Sequence, residues 1–122
     1  MIESSLDTAQ SVLYVHPKSA LEQADFVKLA EKVDPYIEAS GGLRGLIIEA
    51  AAFPGWESFG ALVAHVHFVR DHHRRIEKIA LVTDSAIGNV VEHLASHFVS
   101  AQIKHFSSAE MEAARQWITS RP

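Results

Sequence analysis

The chain has 122 residues, 48% of them hydrophobic and 21% charged, the size and composition of one domain spanning 1–122 with a core of its own. A formal net charge of −4 argues against a general affinity for nucleic acid. The absence of cysteine excludes disulfides, a thiolate nucleophile and Cys-based zinc sites, and fits a reducing compartment.

The N-terminal MIESSLDTAQ is acidic and polar, unlike a signal peptide. The longest apolar runs, such as LIIEAAAF, are too short to span a bilayer, so a cytoplasmic protein is expected. Ile2–Leu6 is a weak strand candidate and Ser11–His16 a better one, rich in β-branched and aromatic residues. The polar Asp7–Gln10 between them reads as the turn of a hairpin. Ser19-Ala20-Leu21-Glu22 matches a capping box, which predicts a helix starting at Ser19. Leu21, Phe26, Leu29, Ala30, Val33 and Ile37 form its apolar face. Asp34-Pro35 should kink or restart that helix, and Gly41-Gly42 should end it.

Arg44–Ala51 is a nearly continuous apolar strand, the pattern of a strand buried on both faces. After the loop Ala52–Trp56, a helix is predicted over 58–75, with Phe59, Leu62, Val63, Val66 and Val69 facing the core. Lys78–Thr83 is a second buried strand. Ser85 caps a predicted helix over 86–99, with Ile87, Val90, Val91, Leu94 and Phe98 inside. Gln102–Phe106 alternates like a strand near an edge, and Ser107–Glu110 gives a capping box for a last helix that buries Met111, Ala114, Trp117 and Ile118. The order ββαβαβαβα predicts an α/β fold: a five-stranded, mostly parallel sheet covered by about four helices.

RGLIIEAAAFPGW (44–56), a long helix, KIALVTD (78–84) and EMEAARQWI (110–118) together resemble the SpoIIAA-like family. That family is a branch of the STAS-type fold, typified by anti-sigma-factor antagonists and related to the CRAL-TRIO fold. The resemblance covers nearly the whole chain. It implies a small non-enzymatic protein that binds an apolar ligand or associates with a membrane surface. Asp84-Ser85-Ala86-Ile87-Gly88 looks like the segment that carries the phosphorylated serine in anti-sigma-factor antagonists, but it lies one strand too late. The matching junction is Phe53–Glu57, with Ser58 beside it, and both serines read as helix N-caps.

Four of the eight histidines fall in HVHFVRDHHRR (65–75). Two histidines share a metal from one helix when three or four residues apart. No pair within this stretch meets that spacing, and His65 and His72 lie about 10 Å apart along the axis. The stretch therefore reads as a helix with a basic end, whose Arg74 and Arg75, with Lys78 beyond, are candidates to meet headgroups or another anion. His93 and His97 are correctly spaced, but a third ligand would have to come from elsewhere, His105 or Glu92 being nearest in sequence, and no general base stands between the two, so no metal site and no cofactor is assigned.

Phe53, Trp56, Phe59 and Phe68 are the candidate ligand or membrane contacts. Phe53 and Trp56 flank a Pro-Gly turn at the C-terminal end of a central strand, the edge where open α/β sheets bind ligands. Phe68 falls opposite the predicted core face, among Ala61, Ala64, His65 and His72, which marks a homodimer contact or a lipid-facing surface. Glu49 and Asp84 are carboxylates without a nucleophile to place beside them, and no catalytic residue is assigned. The leading expectation is a non-enzymatic module holding an apolar or lipid-like ligand between the 58–75 and 86–99 helices, at a membrane surface. The alternatives are a regulatory module with a protein partner and a small metal- or histidine-dependent enzyme.

Overall fold

The computed structural model describes residues 1–85, 92–93 and 99–120. Strands β1 (Ile2–Asp7) and β2 (Val12–Pro17) form the expected hairpin, in register from Ile2 opposite Pro17 to Asp7 opposite Val12. Asp7 Oδ1 accepts the N–H groups of Ala9 and Gln10 and so shapes the turn. The sheet continues through β3 (Leu43–Glu49), β4 (Ile76–Val82) and β5 (Gln102–Phe106), all parallel to β2, in the order β1-β2-β3-β4-β5. The central β3 is the apolar run of the sequence, and β5 lies at an edge as its alternation predicts.

Helix α1 (Gln23–Ser40) starts four residues later than Ser19. Its N-cap is Glu22, in a capping box with Asp25, and Leu21 instead pairs as extended backbone with Trp56. The helix is continuous through Pro35, so it does not restart there. Pro35 lies on the exposed side, where water can meet the carbonyl it frees, while buried Val33 and Ile37 hold the helix on the sheet. Gly41, at φ 92°, ends it.

Helix α2 (Phe59–His72) has Ser58 as its N-cap and runs into a 3₁₀ turn at His73–Arg75. Helix α3 (Met111–Thr119) follows the predicted Ser107/Glu110 capping box, which initiates a 3₁₀ turn at Ser108–Glu110. The helix predicted over 86–99 lies largely outside the described residues.

Each parallel crossover steps one strand in the same direction, so right-handed connections place α1 and α2 on one face. That face packs Leu13, Val15, Leu46 and Ile76 against Leu29, Val33 and Ile37 of α1, with Phe68 of α2 beside them. The opposite face packs Val12, Ile47, Ala80, Val82 and Phe106 against Ala114 and Ile118 of α3.

Candidate functional site

The expected orientation of α2 is inverted. Phe59 is 79% exposed and Val66 57%, and Val63 and Val69 are also exposed. The buried residues of α2 are Ala61 and His72, with Phe68 half-buried against the core. This helix is apolar on two sides, so periodicity alone cannot choose between them. The surface of α1 decides: it supplies a ring for His65 and Phe68 and a carboxylate for His72, so those rings turn inward with partners.

A continuous ladder of rings results. Phe53 and Trp56 meet edge to face at 4.7 Å. The Trp56 indole N–H donates to His65 Nδ1 at 3.0 Å. His65 stacks on Phe26 of α1 at 4.9 Å, Phe26 meets Phe68 at 6.0 Å, and Phe68 stacks on His72 at 4.0 Å. His72 Nε2 reaches Asp34 Oδ1 at 2.6 Å, and its Nδ1 lies 2.7 Å from the Phe68 carbonyl. Burial lowers the pKa of His65.

The loop that carries Phe53 and Trp56 is tied to the start of α1. Leu21 N–H donates to the Gly55 carbonyl and Glu57 N–H to the Leu21 carbonyl, both at 2.8 Å. Gly55 has φ 82°, the left-handed region in which glycine is favoured. A hydrogen bond with the Glu22 carboxyl raises the pKa of Glu57.

Between α1 and α2 runs an open groove of about 740 Å³. Phe26, Val27, Ala30, Val63, Ala64 and Phe68 line most of its length, and Asp34 and His72 stand toward one end. The His72–Asp34 pair has the composition of an acid–base dyad. Both imidazole nitrogens are engaged within the fold, one by the Phe68 carbonyl and one by Asp34.

The predicted contact residues do not form one cluster. Phe53 and Trp56 are together, Phe68 lies in the groove, and Phe59 stands apart on the outside of α2. Arg74 is exposed beside Arg75, whose Nη1 donates to the Gly41 carbonyl at 2.9 Å. Lys78 lies on the other face, 8% exposed. Its ammonium donates to the Trp117 and Ser120 carbonyls and to Ser120 Oγ, closing the C-terminal end of α3. Its donors are thereby occupied, and it shares no surface with the arginines.

Ser58 Oγ accepts the Ala61 N–H, as a cap should. Asp84 accepts both the hydroxyl and the N–H of Ser108, which lower its pKa. Glu49 pairs with His16 at 3.5 Å, both partly exposed. Among the described residues no three His, Asp or Glu side chains gather as a metal site. His97 of the predicted pair lies outside the described residues. Sequence reasoning missed Phe26 and Asp34 as groove residues, because nothing local marks which residues of α1 will face α2.

A family model described as SpoIIAA-like matches residues 12–119. The crystal structure of an uncharacterized DUF3478-family protein with a SpoIIAA-like fold, from Shewanella loihica PV-4, superposes with a TM-score of 0.71. The two are 17% identical, over 97% of this chain and 92% of that one. No curated protein matches the chain. The protein belongs to the SpoIIAA-like family.

Proposed function

We propose that this protein is a non-enzymatic binding module that takes an apolar or lipid-like ligand in the groove between α1 and α2. The observation that carries the reading is the groove itself. Its volume of about 740 Å³ suits a small molecule, Phe26, Val27, Ala30, Val63, Ala64 and Phe68 give it an apolar floor, and polar side chains along its rim, among them Gln23, Asp34, His67 and Arg75, can orient a ligand. This moves the ligand from the α2–(86–99) side, where the sequence puts it, to the α1 side. Among the described residues no helix is long and apolar enough to cross a membrane.

The test is titration with a dansyl-labelled fatty acid. Saturable binding at one site per chain is expected, lost when Ala30→Trp fills the groove and kept in Phe59→Ser. An absence of saturable binding, or equal binding by Ala30→Trp, rejects the reading. Sedimentation with anionic phospholipid vesicles, comparing Arg74→Glu with the parent chain, reads the contribution of the basic end.

A second reading, a regulatory module with a protein partner or a second copy, is favoured by the exposed Phe59, Val63 and Val66 on the outside of α2. It expects Phe59→Ser to weaken association while leaving fatty-acid binding intact. Sedimentation equilibrium checks the self-association arm.

A further inference from the structure

We propose that His65 is a proton-operated latch: neutral, it holds the Phe53–Trp56 aromatic pair against α2, and protonated, it lets that pair go. The proposal does not depend on what the groove binds.

The hydrogen bond fixes the chemistry. An indole nitrogen only donates, so His65 Nδ1, 3.0 Å away, must offer a lone pair. His65 is therefore neutral here, with its proton on Nε2. Adding a second proton places an N–H on Nδ1, facing the indole N–H. Two donors then point at each other where one hydrogen bond stood. The new charge also sits on a half-buried ring, where it loses part of its hydration.

His72, seven residues on, is a built-in contrast. Its two nitrogens face a carbonyl and a carboxylate, so a ring carrying both protons keeps both hydrogen bonds. Two imidazoles on one helix face are thus wired in opposite senses.

The charged and titratable groups on the elements around His65 do not replace the lost bond. On α1, Glu22 and Asp25 cap the helix, Asp25 also meets the N-terminal amine at 3.2 Å, and Lys28 is exposed. In the loop, Glu57 is hydrogen-bonded to Glu22. On α2, His67 is exposed and His72 is held by Asp34. Burial lowers the pKa of His65 and protonation forfeits the hydrogen bond from Trp56, so the latch stays closed at neutral pH and opens on acidification below the ordinary histidine value of 6.5.

Opening acts on the side chains first. The backbone pairing of Leu21 with Trp56 does not involve His65 and remains as a hinge. Phe53 and Trp56, each already 40% exposed, become free to turn outward as a pair.

The experiment follows the indole N–H resonances of the intact chain from about pH 8 to about pH 4.5, across the range of histidine titration. The chain has two tryptophans, and the Trp56 peak is the one lost in Trp56→Phe. The Trp56 peak is expected to shift toward the free-indole position with a midpoint below 6.5, while that of Trp117 stays in place. In His65→Gln, whose amide oxygen accepts the indole N–H but does not titrate, the Trp56 peak should not move with pH. The latch is overturned by a stationary Trp56 peak in the parent, by an unchanged titration in His65→Gln, or by joint movement of both indoles.

Discussion

The two faces of the sheet are built to different standards. On the α3 face the fit is close. A Cβ added to Gly45 would lie 2.2 Å from Ile118 Cγ2, so β3 and α3 approach as nearly as glycine allows. The buried polar group there, Lys78, is spent on the carbonyls at the end of α3. On the α1–α2 face the two helices leave a groove between them, and its polar groups include two histidines whose hydrogen bonds respond differently to a proton. The close-fitting face holds the fold and leaves its opposite free to stay open.

Substitutions can sharpen or break this contrast. The largest effect is expected from Ile118→Ala, which opens a cavity in the tight face and should cost about 2–5 kcal/mol in urea unfolding. Gly45→Ala should cost about 1–3 kcal/mol through overpacking of the same contact. The double variant should be less destabilised than the sum, because the smaller residue at 118 admits the new methyl group. Additive costs would mean that the two residues do not touch.

Lys78→Met keeps the apolar stem and removes the ammonium. It should cost about 1.5–3 kcal/mol by removing the charged hydrogen bonds to the Trp117 and Ser120 carbonyls, of which Trp117 keeps the Ser120 N–H and hydroxyl as donors. An unchanged unfolding midpoint would show that α3 does not depend on the lysine. Asp34→Ala, on the open face, should cost only about 1 kcal/mol, since Asp34 is half exposed and water takes part of its place. A larger loss would mean that the groove face is as tightly coupled as the other. Phe59→Ser should change stability by less than about 0.5 kcal/mol, because the ring is 79% exposed. A cost near 3 kcal/mol would restore Phe59 to a core and reverse the orientation assigned to α2.

Much of the fold is legible in the sequence. The hairpin at 2–17, the continuous apolar run of β3, the alternation of β5 and the Ser107/Glu110 box all lie where the local pattern puts them. Each is specified within a few residues by turn chemistry or periodicity. The start of α1 is not, because Glu22 and Asp25 form a capping box three residues beyond the one at Ser19, and only the pairing of Leu21 with Trp56 selects between them. The grouping of Phe53, Trp56, Phe59 and Phe68 as one contact set holds only for the first two. The histidine spacing in 65–75 speaks against a shared metal on one helix, but it does not reveal that His65 and His72 face inward.

The sequence by itself determined the α/β class, a five-stranded, mostly parallel sheet and the positions of most elements, because propensity, capping and hydrophobic period act over a few neighbouring residues. Only the tertiary structure decided which side of α2 is inside. Valines and Phe59 on one side compete with Ala61, His65, Phe68 and His72 on the other, and transfer from water favours the first. The second wins because Phe26 and Asp34, more than thirty residues earlier in the chain, stand opposite with a ring to stack on and a carboxylate to accept a hydrogen bond.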